Sequence, residues 1–321
     1  MRRTVATVFA ILIASTVGVL AQGYPLRPIK VIVPYPAGGP TDTIARAVTQ
    51  HLGTALGQSI IIENQSGAGG RIALKQVAHA EPDGYTLLLG GTNNNAITPA
   101  LYKNLDFDAV KDFTPAATIG IDRLGVVVHP SVPAKTMAEL VAYAKANPGK
   151  LTSGGGVGIS PHFLLEFIRV KSGANIVFVP YKGAAPALID VLAGQIQMHS
   201  TAKSVLLPHI KAGKLRALAV EGSERWPELP DVPTLTEAGF DGFPPAIWYG
   251  FLAPAKTPPA VIAKLDAAVK AQLQAPDVKA SFAKLGIDAN MLSPQEFGAV
   301  LAKERDTWAG LAQQTGIKLA E

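Results

Sequence analysis

Three glycine-rich stretches carry the chemistry this sequence most readily offers. Tyr35-Pro36-Ala37-Gly38-Gly39-Pro40, Asn64 to Gly70, and Gly154-Gly155-Gly156-Val157-Gly158-Ile159-Ser160 each follow an apolar run and precede a helical pattern. Such loops aim backbone N–H groups and the positive end of a helix dipole at one point, which holds a carboxylate or phosphate without a charged side chain. Turns also need glycine, so a single loop says little. Three in one chain argue that some converge on one cleft. Catalytic spacing is scarce beside them. Neither H-E-x-x-H nor G-x-x-x-x-G-K-[ST] occurs. Gly158-Ile159-Ser160-Pro161-His162 resembles a serine-hydrolase elbow, but it lacks the final glycine and Pro161 breaks the strand-to-helix turn. Ser160 as a helix N-cap is the plainer reading. The six histidines (His51, His79, His129, His162, His199 and His209) show no metal-ligand spacing, and there is no cysteine, so neither metal nor cofactor is expected.

The elements that must position these loops follow from periodicity. Ile29–Val33, Ser59–Glu63 and Tyr85–Leu89 read as strands, and Thr41–Leu56 and Arg71–Ala80 as helices. The third strand runs into Gly90-Gly91-Thr92-Asn93-Asn94-Asn95. A second set opens near Leu124–His129. Thr136 and Glu139 form a capping-box pattern for a helix to Ala146, followed by Gly149. Strands at Leu151–Ser153, Ile176–Val179, Gln195–His199 and Leu215–Val220 alternate with helices at Pro161–Lys171 and Ala184–Leu192. Pro227–Pro233 reads as a crossing between domains. Ile247–Ala253 is a further strand, and Val261–Leu273, Pro276–Leu285 and Pro294–Thr315 are helical. Alternating strands and helices predict an α/β protein with mostly parallel sheets.

At 321 residues, two domains are favoured over one. With 48% hydrophobic and 17% charged residues, the chain is not disordered. Met1-Arg2-Arg3, an apolar run of about 16 residues from Val5 to Leu20, and the small residue Ala21 predict a secretory signal peptide over residues 1–21. The run is shorter than the roughly 20 residues a membrane span requires. Removal of Arg2 and Arg3 lowers the net charge from +5 to +3. That mild bias suits small anions; no basic run with interleaved aromatics points to nucleic acid.

Beyond composition, the motifs themselves are specific. Pro34-Tyr35-Pro36-Ala37-Gly38-Gly39-Pro40-Thr41-Asp42 with Ala45-Arg46 resembles the opening motif of the Bug (TctC-like) family of tripartite tricarboxylate transporter receptors. The resemblance continues through Glu63-Asn64, Gly67 to Gly70, Pro82 to Leu87, Gly154 to His162, and Val179 to Gly183 with Asp190 and Gly194-Gln195. It ends with Leu215 to Ala219, Pro230 to Thr234 and Glu237 to Gly239, covering nearly the whole mature chain in order. It implies a two-domain, type II, Venus-flytrap periplasmic binding protein that is monomeric and not an enzyme. Each domain would be a mixed, mostly parallel sheet flanked by helices. Domain 1 would comprise residues 22–121 and 240–321, and domain 2 residues 122–239. The ligand would be a small organic carboxylate, passed on to membrane permease subunits.

The resemblance also implies a site. Tyr35, Ala37, Gly38, Gly39, Thr41 and Asp42 would cradle one carboxylate, with Thr92 and Asn93 facing the same cleft. Val157, Gly158 and Ser160 would close on it from the other domain; Ile159 departs from the Ser or Thr of many members. Asp42 either shapes its loop, paired with Arg46, or touches the ligand; Asp190 either touches the ligand or holds the Gly183 turn. Tyr35 and Trp248 could flank a ring, so an aromatic acid such as terephthalate joins the aliphatic di- and tricarboxylates as a candidate. Two other classes stay open: an exported esterase using Ser160, and a sensor for a membrane signalling system.

Overall fold

The computed structural model describes residues 23–317 apart from Lys103 and Pro245. The expected signal peptide, with its exit at Ala21, lies outside the described residues. Two mixed sheets organise the chain, flanked among the described residues by ten helices. The first half of the sequence starts one sheet: β1 (Ile29–Val33), β2 (Ile60–Asn64), β3 (Thr86–Gly91) and β4 (Phe113–Asp122). The middle builds the other: β5 (Leu124–Val128), β6 (Leu151–Gly156), β7 (Ile176–Tyr181), β8 (Met198–Ala202) and β9 (Arg216–Val220). The chain then returns with β10 (Ile247–Pro254) and β11 (Asp288–Ala289), giving the orders β11-β4-β10-β3-β1-β2 and β7-β6-β8-β5-β9. We call the two layered bodies the first and second lobe.

In each lobe the glycine loops leave the parallel part of the sheet. β1 pairs in parallel with β2 and β3, and β6 with β7 and β8. The antiparallel pairings are those of β10 with β3 and β4, of β11 with β4, and of β5 with β8 and β9. β1 is an almost unbroken apolar run because both its faces are covered.

The helices of the first lobe are α1 (Pro40–Leu56), α2 (Arg71–Ala78), the single turn α3 (Thr98–Leu101), α8 (Pro259–Gln274), α9 (Pro276–Leu285) and α10 (Pro294–Thr315). Those of the second are α4 (Met137–Ala146), α5 (Ser160–Ser172), α6 (Ala184–Leu192) and α7 (Lys203–Lys211). Local chemistry sets many ends. α10 starts at a complete capping box, Ser293 with Glu296, and stops at Gly316 in the left-handed region, φ 65°. Its Trp308 is fully buried and meets Phe163 of α5 edge-on at 5.2 Å, so the C-terminal helix joins the lobes behind the cleft.

Several expectations need correction. β4 was hidden by Pro115 and Gly120; Pro115 sits opposite Leu252, where the β10 register shifts, and such an irregularity tolerates proline. β8 starts three residues later than the pattern predicts, because Gln195 and Ile196 donate to the Asp190 carbonyl and close the end of α6. α7 was not foreseen at all, with Pro208 inside it. The Thr136 cap is present, but the Glu139 carboxylate accepts from Lys135 N–H rather than Thr136, so the box is half formed. Pro227–Pro233 is not the crossing: Val220 N–H donates to Pro233 O at 2.9 Å and ties the segment to β9. The residue flanking α5 is Ile159; Ser160 is the first helical residue and not the N-cap.

Candidate functional site

The Tyr35–Thr41 loop is shaped by one buried carboxylate. Asp42, in the first turn of α1, is only 3% exposed. Its Oδ2 accepts from Gly38 N–H and Arg46 Nε, each at 2.9 Å, and its Oδ1 from Asn64 Nδ2 at 3.0 Å. Burial opposes ionisation, but Arg46, the Gly38 amide and Asn64 outweigh it and hold the carboxyl below its usual range. Asn64 also donates to the Tyr35 carbonyl at 3.1 Å. Asp42 is therefore the staple of the loop and turns away from the cleft, and the Gly38 N–H is committed to it. The helical ladder begins with Thr43 N–H to Gly39 O, so the amides of Thr41 and Asp42 precede it at the positive end of α1.

Of the two central glycines, only Gly38 is required by its backbone: it has φ 78°, the left-handed region, and a Cβ there would meet nothing. Gly39 has an ordinary φ of −81°, and a Cβ would make only ordinary contacts, 3.4 Å from the Pro36 carbonyl and 3.9 Å from Ala185 Cβ in the second lobe.

After β3 the chain forms a π-helical turn, Thr92–Ile97, with all six residues buried. Such turns are rare and recur at functional sites. Gly91 enters it at φ 146°, where a Cβ would lie 1.9 Å from the Trp248 carbonyl. Thr92 donates its hydroxyl to Glu304 Oε2 at 2.5 Å and accepts from Trp248 N–H at 2.9 Å. Burial pushes Glu304 up to about 7, against that hydrogen bond. Asn93 reaches across: its Oδ1 accepts the Ser160 N–H at 2.9 Å. Asn94 donates to the Tyr35 hydroxyl at 3.2 Å.

On the second lobe, Gly158 has φ 69° and donates its N–H to His162 Nδ1 at 3.2 Å. His162 stacks on Phe178 at 4.0 Å, and burial pushes it down to about 4, so it is a neutral acceptor at neutral pH. The Ser160 hydroxyl is fully buried and finds no partner among the described residues; neither does the Thr201 hydroxyl. With His162 Nδ1 occupied by Gly158, the Ser160 hydroxyl meets no base among the described residues.

These loops enclose a cavity of about 20 Å³ between the lobes. Tyr35, Gly39, Thr41 and Asn93 line it from one side, Ile159, Ser160 and Thr201 from the other, and Tyr249 from β10. Among the described residues, no charged side chain lines it. A single buried water needs roughly 10–15 Å³, so an organic acid enters only with the lobes parted. Five of the anticipated residues (Tyr35, Gly39, Thr41, Asn93 and Ser160) thus meet at one point. Ala37 lies on an outer groove, Val157 lines an outer chamber, and Thr92 and Gly158 hold the loops from behind.

Trp248 is on the wrong face. Alternate residues of a strand point to opposite sides, so Ile247 and Tyr249 face the cavity while Trp248 packs against the buried cluster that contains Ile32, Leu88, Leu252 and Phe297. The Tyr35–Trp248 sandwich does not form. Tyr249 is the aromatic that the strand pattern offered in its place. Thr201 had no such signal, because the expected strand ended at His199. Asp190 is engaged by the Tyr181 hydroxyl at 2.5 Å and so steadies the turn before α6. At the crossing from β4 to β5, Asp122 is fully buried and pushed up to about 6 by that burial; Arg123 N–H donates to it at 2.8 Å.

Comparison with known proteins bears on this geometry. Residues 44–317 match the model of the tripartite tricarboxylate transporter family receptor. Protein BugT of Bordetella pertussis is 35% identical over 303 residues, 94% of this chain and 93% of its own. A Rhodopseudomonas palustris protein solved with adipate superposes with a TM-score of 0.88 at 33% identity, covering 92% of this chain and 99% of that one. MatC of the same species, solved with bound malate, superposes at 0.86 and 33% identity, covering 90% and 99%.

Proposed function

This chain belongs to the tripartite tricarboxylate transporter receptor family, and from that premise we propose that it captures a small organic carboxylate outside the cytoplasmic membrane and delivers it to a membrane permease. Family and fold are those of solute-binding proteins. The observation that carries the reading is the convergence of two helix starts, α1 and α5, on one cavity free of charged side chains. The Thr41 and Asp42 amides of α1 and the hydroxyls of Thr41, Ser160, Thr201 and Tyr249 supply donors for a carboxylate there, while the Ser160 N–H is already taken by Asn93. Residues 22–121 with 240–321, and residues 122–239, act as the two closing bodies of a monomer that is exported by its leader. The ligand binds without turnover. Malate and adipate, bound by relatives, define the class to be screened. Terephthalate stays in the screen, although Trp248 no longer argues for it.

Calorimetry with di- and tricarboxylates, terephthalate and monocarboxylates tests the reading. Saturable one-to-one binding of at least one acid is expected, with no hydrolysis of an activated ester. Absence of binding across the panel refutes it, and ester turnover lost with Ser160→Ala would favour the hydrolase.

A further inference from the structure

Three carboxyl groups stand directly behind the wall of the inner cavity. Leu124 lines that cavity, and its N–H donates to Glu221 Oε2 at 2.6 Å. Arg123, the residue before it, donates its N–H to Asp122 Oδ1, and Asp122 Oδ2 accepts from Ser204 N–H at 3.3 Å. Asn93 lines the cavity from the first lobe, and its neighbour Thr92 is bonded to Glu304. Asp122 is fully buried, Glu221 is 2% exposed, and Glu221 Oε1 has no partner among the described residues. The three carboxyls come from the end of β4, the residue after β9, and α10, so the cluster spans the junction of the lobes.

The cations beside this cluster are matched elsewhere. Arg123 pairs with Asp288 of β11, and Lys203 of α7 lies with its Nζ 3.5 Å from Glu228 Oε1 and 5.5 Å from the Trp226 ring centre. With Asp288 and Glu228 counted, five carboxyls face two cations. Tyr35 and Tyr249 add only hydroxyls that burial keeps protonated. The π-helical turn and α3, packed on α10, hold no titratable residue. On α5, His162 and Arg169 both face Glu166, and on α10 itself Arg305 pairs with Asp306. Burial holds Glu221 well above the carboxylate range, and Asp122 and Glu304 push it further. Like charges this close in a buried site do not all ionise, so the cluster shares protons near neutral pH.

A carboxylate entering the inner cavity adds negative charge on the other side of that wall. No charged side chain among the described residues lines the cavity to offset it. The cluster carboxyls then gain affinity for protons, and by linkage the anion is held best when they are protonated.

We propose that this receptor takes up its anion together with a proton from solvent, held on the Asp122, Glu221 and Glu304 carboxyls behind the cavity wall. The assignment rests on the carboxylate-receptor reading above and adds what regulates that site. Proton uptake on binding means that affinity falls as the pH rises. Burial pushes Asp122 up to about 6 and Glu304 up to about 7, so the uptake should be largest from about pH 6 to 8.

Calorimetry of the full mature protein with malate, adipate and the other acids of the panel tests this. Run in Hepes and in Tris at about pH 7.5, it reads the protons exchanged from the difference in buffer ionisation heat. Malate and adipate are ionised at both carboxyls there, so a proton taken up goes to the protein. Uptake of about 0.3–1 proton per anion is expected, with affinity falling about 2- to 10-fold per pH unit between about pH 7 and 8. Glu221→Gln and Glu304→Gln keep an oxygen to accept from Leu124 and Thr92 but cannot ionise. Each should reduce the uptake and, at about pH 8, bind about 2- to 10-fold more tightly than the wild type. Loss of a merely structural group would instead weaken binding at every pH. If one variant fails to fold, the other decides. Binding by the wild type with no net uptake, or an uptake and pH slope unchanged in the variants, overturns the proposal and leaves the receptor reading standing. Absence of binding across the panel overturns both.

Discussion

Gly183→Ala isolates lobe closure from everything else in this protein. Gly183 precedes α6 in the second lobe with φ 167° and ψ −170°, extended backbone that alanine adopts without strain. A Cβ there would lie 2.8 Å from Pro36 Cδ and 3.5 Å from Pro36 Cγ, both in the first lobe. Ordinary carbon contacts are about 3.5–4.0 Å, and a proline ring cannot swing aside, so the lobes must separate by roughly an ångström. Overpacking of this kind costs about 1–3 kcal/mol. Only the closed arrangement bears that cost, because Gly183 and Pro36 belong to different lobes. If binding requires closure, the dissociation constant should rise by about 5- to 150-fold. The melting temperature of the ligand-free protein should fall little, and the radius of gyration at saturating ligand should exceed that of the wild type. Calorimetry, scanning calorimetry and small-angle scattering read the three quantities. Wild-type affinity in Gly183→Ala would refute the reasoning, because it would mean that the ligand is held without this approach of the lobes.

Three further outcomes follow from the same geometry. Asp42→Ala strands the Gly38 amide and leaves Asn64 Nδ2 only its bond to the Tyr35 carbonyl, which should cost about 1–3 kcal/mol and abolish most binding, whereas Arg46→Ala, at a side chain 57% exposed, should cost only ~0.5 kcal/mol and leave affinity nearly intact; equal losses in calorimetry would refute this division of roles. Glu304, raised by burial to about 7, binds a proton in the folded protein that the unfolded chain releases above its ordinary value of 4.5, so its contribution is fully present below pH 4.5 and is lost as the pH rises through 7. The wild-type melting temperature should therefore fall over that range and Glu304→Gln should flatten the slope; an unchanged slope sinks the assignment. Mass spectrometry of the exported protein should find its N-terminus at or near Gln22, and an intact Met1 in the soluble pool would contradict the signal peptide.

Local structure was written in the sequence wherever one short stretch contained its own reasons. α10 is legible because Ser293, Pro294 and Glu296 start it and Gly316 stops it within its own segment. The glycine loops could be placed because each follows an apolar strand and precedes a periodic run, and the family motifs add which of them meet a ligand. The two roles open to Asp42 were visible as well, since Arg46 lies one turn along α1. What closed that choice was Asn64, 22 residues away, which takes the second carboxylate oxygen. Long-range partners settled the rest. β4 needs the irregular register of β10 to accommodate Pro115, and nothing near Pro115 reveals it. Period-two alternation says that Trp248 and Tyr249 face opposite ways, but only the packing of β10 between β3 and β4 decides which face meets the cavity. The bond from Ser160 to Asn93 and the contact waiting between Gly183 and Pro36 belong to the closed pair of lobes. Their cause is the docking of two bodies whose facing surfaces come from segments far apart in the chain, and no local pattern records that approach.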